Sequence, residues 1–209
     1  MMDSSEGLEH VYGARDSVGV REAYDEWATS YDAENVGNGY RIPGLAAAFF
    51  AQHVPHSSGP FMDAGCGTGL VGEALAILGY ESLVGVDLSP EMLKFAGALD
   101  VYERLYEHDL GLRLPESDDS LGAVACIGSL GPGHAPASCL KEFLRVTRPE
   151  GKIILNVRHD TFVEQGLKAE IDALTNAGLW TPVAVSPVFR PFLLAEPNVS
   201  AQIYVLSVA

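Results

Sequence analysis

Residues 61–69, Phe-Met-Asp-Ala-Gly-Cys-Gly-Thr-Gly, are followed one helix later by Val86-Asp87-Leu88-Ser89-Pro90. An apolar strand runs into a glycine turn, the turn opens a helix, and the next strand ends in a carboxylate. That order suits a nucleoside with two vicinal hydroxyls and a tail lying close to backbone. Gly65, Gly67 and Gly69 let the main chain approach a ligand where a Cβ would clash. A helix starting near Thr68 turns free N–H groups toward the same point. Asp87 can accept from both ribose hydroxyls.

The elements that must position these residues follow from periodicity. Asp16-Ser17 begins a helix with Val20, Tyr24, Trp27 and Tyr31 on one face. Pro43 marks the start of a second helix, with an apolar stripe of Ile42, Leu45, Ala46, Phe49 and Phe50 that ends before Pro55. Strands are expected near 60–64, 82–87, 103–107, 121–127 and 152–157, alternating with helices near 68–78, from Ser89-Pro90, at 136–147 and at 161–177. Ser89 is the expected N-cap of its helix. Two closing strands, 180–188 and 199–208, have no helix between them. Five alternating strands imply a parallel α/β sheet, and the closing pair an antiparallel edge hairpin.

Asp-Ala-Gly-Cys-Gly-Thr-Gly resembles motif I of the class I S-adenosylmethionine (SAM)-dependent methyltransferases, and Gly85-Val86-Asp87-Leu88-Ser89-Pro90-Glu91-Met92-Leu93 resembles the segment that follows it there. Tyr24-Asp25-Glu26-Trp27-Ala28, Tyr31-Asp32, Tyr40-Arg41 and Gly65-Cys66-Gly67-Thr68-Gly69-Leu70-Val71 are similar to the Williams–Beuren syndrome chromosome region methyltransferase-like group. The resemblance implies a Rossmann-like α/β fold of seven strands in the order 3-2-1-4-5-7-6, the last strand antiparallel. It implies SAM as cofactor and S-adenosylhomocysteine as product and says hardly anything of the acceptor, which is expected to be an O, N or S nucleophile of a small molecule. Residues 1–15 are polar and aperiodic and read as a tail, and the resemblance implies lid helices (16–56) over a SAM-binding core (57–209). Glycine loops of this kind also serve dinucleotides, so the choice of SAM over NAD(P) rests on the resemblance.

Residue by residue, the resemblance turns Ala64, Gly65, Cys66 and Gly67 toward the methionine part of SAM, with Asp63 assisting at its ammonium group. It places Asp87 at the ribose, Leu88 and Met92 near the adenine, Asp109 at the adenine amino group and Leu110 over the ring. Backbone of Cys126 or Ile127 contacts the ammonium group. Tyr24, Tyr31 and Arg41 reach over the cofactor from the lid, where aromatic faces attract a sulfonium and Arg41 pairs with the carboxylate. Ser129 and His134 are substrate-contact candidates. His134 and His159, the latter paired in sequence with Asp160, are the candidates for a general base, each set against a bland reading as a loop residue.

Lys+Arg 13 against Asp+Glu 28 gives a formal charge of −15, which repels nucleic-acid phosphates and anionic membranes. Hydrophobic residues at 47% suffice for a sizeable core. Cys66, Cys126 and Cys139 are an odd, widely spaced set without CxxC, which fits a reducing compartment and no zinc site. No run reaches membrane-spanning length and no signal peptide is evident. The expectation is a cytoplasmic enzyme, monomer or homodimer, with no metal, nucleic acid or membrane partner. A protein methyltransferase and a non-catalytic SAM-binding partner subunit stand as alternatives.

Overall fold

The central strands of the sheet bury one face against one helical layer and the other face against a second. In β1 (Phe61–Ala64), Phe61 joins an apolar cluster with α3 (Ile42–His53) and α4 (Leu70–Ile77), while Met62 and Ala64 join a cluster on the opposite side. In β4 (Leu121–Cys126) every residue is buried, Ala123 and Ala125 toward the first cluster and Val124 and Cys126 toward the second. Small side chains on a doubly covered strand let both layers close on it. The second cluster is completed by α6 (Cys139–Val146) and α7 (Leu167–Asn176), whose Leu167, Ile171 and Leu174 are buried as the spacing requires.

The sheet order is β3-β2-β1-β4-β5-β7-β6. β2 (Leu83–Asp87) lies parallel to β1 and to β3 (Tyr102–Glu107), and β4 parallel to β1 and to β5 (Thr147–Arg158). β7 (Ala201–Val208) runs antiparallel to β5 and to β6 (Trp180–Val185). Strand order therefore reverses between β1 and β4, and ligands of open α/β sheets bind at the carboxyl end of such a switch point. The structure, a computed structural model, describes residues 11, 13, 16–131, 134–159, 162–164 and 166–209. The expected tail falls largely outside these residues, as do Pro132, Gly133 and Asp160.

The N-terminal helices depart from expectation. α1 (Ser17–Trp27) starts where read, with Asp16 Oδ1 accepting from Gly19 N at 2.9 Å, but it stops after Trp27. Ser30 N donates to the Trp27 carbonyl at 3.0 Å, a tight three-residue closure, and a separate helix α2 (Tyr31–Gly37) begins. Tyr31 thus belongs to a new helix, yet it still meets Trp27 edge to face with ring centroids 4.7 Å apart. On α3 the buried stripe is Ile42, Ala46, Ala47 and Phe50, and Leu45 is exposed on its flank. β5 starts five residues earlier than the apolar run suggests, because Thr147 pairs with Leu121 before the ladder shifts register. α5 (Pro90–Ala98) has the expected N-cap, Ser89 Oγ accepting from Met92 N at 3.1 Å.

Candidate cofactor and active site

A cavity of about 460 Å³ opens at the switch point. Its floor is the turn between β1 and α4. Gly65, Gly67 and Gly69 all have positive φ (74°, 54° and 96°), and for different reasons. A Cβ on Gly65 would lie 2.1 Å from Ser129 Oγ, so the turn is closed there by protein. A Cβ on Gly67 would meet nothing within 4 Å, so the open backbone is at Gly67. Ser129, expected at the substrate, donates its hydroxyl to the Gly65 carbonyl at 3.0 Å and also lines the cavity.

Asp87 ends β2 at the cavity wall. Its Oδ2 accepts from Gly67 N at 2.8 Å and its Oδ1 from Ser89 N at 2.9 Å. Both oxygens are fixed by backbone, and each keeps a lone pair for a ligand hydroxyl. Burial pushes the Asp87 carboxyl up, and the N–H donors of Ser89 and Gly67 pull it back. The arrangement can present a fixed acceptor pair to a diol beside a backbone with no side chain in the way.

Of the residues singled out in the sequence, Tyr24, Tyr31, Gly65, Cys66, Gly67, Asp87, Leu88, Met92, Asp109, Leu110, Ile127, Ser129 and His134 line this one cavity. Five do not. Ala64 and Cys126 are fully buried in their strands. Asp63 alternates onto the α4 face of the sheet, where Tyr102 Oη donates to its Oδ2 at 2.7 Å while Oδ1 has no hydrogen-bond partner among the described residues. Arg41 donates from Nη2 to the Arg190 carbonyl at 2.5 Å and is absent from the cavity wall. His159 is exposed and hydrogen-bonds Gln202 Oε1 through Nε2 at 2.6 Å.

Asp63 is a buried carboxyl close to a second one, Asp87. Burial raises its carboxyl to about 7, against the Tyr102 hydrogen bond that lowers it, with Asp87 pushing further upward. Tyr102 is a residue the sequence reading missed. Its ring fills the space left by three glycines: a Cβ on Gly72 would lie 2.1 Å from its hydroxyl, and one on Gly69 or Gly85 3.3 or 3.0 Å from its ring. Glycines clustered around one aromatic position were the available signal. Tyr40 was also missed as a wall residue; its hydroxyl lies 3.0 Å from where a Gly128 Cβ would sit.

The roof comes from α1 and α2. Val11, Ala23 and Trp27 form a small apolar cluster with Tyr24 and Tyr31 packed on it. Two carboxylates tie this roof to the floor. Asp32 Oδ1 accepts from Thr68 Oγ1 at 2.6 Å. Asp25 Oδ1 accepts from Ser89 Oγ at 2.5 Å and from Glu91 N at 3.3 Å, at the positive end of α5. Tyr31 is half-buried, and burial raises its phenol well above the ordinary range, so it stays neutral. Tyr24 Oη and His134 Nε2 are 2.6 Å apart in the cavity wall.

Residues 62–155 match the family described as methyltransferase domain. With the sheet order, the glycine–Asp87 site and a relative 36% identical over most of both chains, this match shows that the chain belongs to the class I SAM-dependent methyltransferase family. Methyltransferase-like protein 27 of Homo sapiens is 36% identical over 187 residues, which cover 86% of this chain and 76% of that protein. Among solved structures, a SAM-dependent methyltransferase of Thermotoga maritima described as a possible histamine N-methyltransferase superposes with a TM-score of 0.62 at 16% identity, covering 90% of this chain and 98% of that one. The [4+2]-cyclase SpnF superposes with a TM-score of 0.69, also at 16% identity, covering 93% and 97%. At such identities these two likenesses show the fold alone. No helix among the described residues is long and apolar enough to cross a membrane.

Proposed function

We propose that this methyltransferase transfers the methyl group of SAM to an O, N or S nucleophile of a small molecule, and that it belongs to the Williams–Beuren syndrome chromosome region methyltransferase-like group. The observation that carries the cofactor site is Asp87, both oxygens anchored by backbone N–H groups beside the open face of Gly67. In this reading Asp87 accepts from the ribose hydroxyls, and Leu88, Met92, Asp109 and Leu110 enclose the adenine. Gly65, Cys66, Gly67 and Ile127 border the methionine part, and the rings of Tyr24 and Tyr31 face the sulfonium.

When bound, SAM supplies a methyl group already activated for displacement. The task left to the chain is to hold two reactants together without water, an effect worth about 7–11 kcal/mol in well-oriented reactions. Residues 16–56 serve as the lid, latched by Asp25 and Asp32, over a core of 57–209. The test is formation of S-adenosylhomocysteine from SAM across a panel of small hydroxyl, thiol and amine acceptors. Turnover of one acceptor class is expected. SAM binding without product from any acceptor would favour a non-catalytic partner subunit, and turnover of protein acceptors alone would favour a protein methyltransferase.

A further inference from the structure

A second, smaller cavity lies against the first, with a volume of about 60 Å³. Tyr24, Tyr31, Tyr40, Gly128 and His134 line both, so these residues form a shared wall. The far side of the small cavity is built from parts that do not belong to the glycine–Asp87 site. Asn156, at the end of β5, lines it and accepts through Oδ1 from Gly128 N at 2.5 Å. Phe192, from the segment between β6 and β7, lines it and stacks on Tyr40 with centroids 4.9 Å apart. A volume that holds only a few waters limits what is buried there to the reacting end of a ligand, and the rings around it favour a planar aromatic body.

We propose that the small cavity receives the reacting end of the methyl acceptor, a phenol-type hydroxyl on a planar ring, and that the hydrogen-bonded Tyr24–His134 pair in the shared wall takes its proton. This inference rests on the SAM reading of the larger cavity. The hydroxyl oxygen forms a bond to the methyl carbon as the methyl carbon–sulfur bond breaks, its electron pair remaining on sulfur as a neutral thioether. The hydroxyl proton passes to Tyr24 Oη while the Tyr24 proton passes to His134 Nε2. The resulting imidazolium returns its proton to water as product leaves. Tyr24 occupies both linings and its hydroxyl is 2.6 Å from His134 Nε2, so the relay needs no rearrangement of the wall.

The experiment has a spectroscopic arm and a kinetic arm. 4-Nitrophenol, at a pH of about 6 where it is mostly protonated, is titrated with the S-adenosylhomocysteine complex of the wild-type protein, His134→Gln and Tyr24→Phe. The phenolate absorption band is followed in a complex that has no methyl to transfer. Wild type is expected to raise the band and both variants to lose that rise. In the kinetic arm, phenol and the pre-ionised pentafluorophenol are compared as acceptors with SAM. His134→Gln is expected to slow phenol by about 100-fold or more and pentafluorophenol by less than about 3-fold. The double variant should be no slower than the slower single variant, as for groups acting as a unit.

Equal losses on both phenols, or a band that survives in His134→Gln, would overturn the relay. S-adenosylhomocysteine binding without any phenol binding or turnover would overturn the acceptor class while leaving the cofactor reading intact. Failure of wild type to bind S-adenosylhomocysteine would remove that reading and this inference with it.

Discussion

The floor and the roof of the large cavity are built on different principles. The floor is backbone locked by backbone: Asp87 is held by two main-chain N–H groups, and its glycine turn rests on Tyr102 inside a continuous apolar core. The roof rests on one small apolar cluster and on side-chain contacts from two carboxylates, Asp25 and Asp32, to the helix starts below. A pocket that must admit and release a bulky cofactor needs one wall that can open at low cost while the other keeps its geometry. Changes that crowd or unpack the floor should therefore cost the most stability, and changes in the roof should alter cofactor exchange and leave stability nearly untouched.

The largest effect is expected at Gly65. Gly65→Val puts a β-branched residue at φ 74° against Ser129, and should lower unfolding free energy by more than about 4 kcal/mol in chemical denaturation. Asp63→Asn gives the next effect, and its sign depends on pH. The Asp63 carboxyl stands at about 7, above its ordinary value, so its stabilising contribution is full below about pH 4 and is lost as pH rises through 7. Relative to wild type, Asp63→Asn should therefore gain stability between pH 4 and 8, by up to about 4 kcal/mol. Equal pH profiles for the two proteins would show that Asp63 is not strained.

Tyr102→Phe removes the donor to a buried carboxylate and should cost about 1–3 kcal/mol, more above pH 7 than below it. The smallest effect on stability belongs to the roof. Asp25→Ala and Asp32→Ala should each lower unfolding free energy by no more than about 1 kcal/mol, while release of S-adenosylhomocysteine quickens by roughly 10-fold in stopped-flow fluorescence. Trp27, one of two tryptophans, sits in the roof as the reporter. Roof variants as destabilised as Gly65→Val would break the comparison.

The same contrast separates what could be read in the chain from what could not. β1, the glycine turn, β2 with Asp87 and the Ser89 cap were legible because strand alternation, left-handed turn positions and helix capping are local rules acting within a few residues. The sheet order came through resemblance, since no local pattern in the chain says which strand neighbours which. Tyr102 was not legible as the support of the glycine turn. It lies 39 residues from Asp63, and its role depends on three glycines brought around it by the sheet. Asp63 was placed at the ligand, whereas strand alternation turns it to the α4 face. The break after Trp27 was likewise not legible, because Ala28-Thr29-Ser30 holds no glycine or proline.

The most direct test of the central claim is calorimetric titration of the protein with SAM, S-adenosylhomocysteine and NAD(H), repeated on Asp87→Ala and Asp87→Asn variants whose fold is verified by circular dichroism. Two charge-assisted hydrogen bonds to a ribose are worth about 1.5–3 kcal/mol each. The account predicts saturable binding of SAM and S-adenosylhomocysteine, no comparable binding of NAD(H), and a loss of about 100-fold or more in the folded variants. Wild-type preference for NAD(H), or SAM affinity indifferent to Asp87, would contradict it.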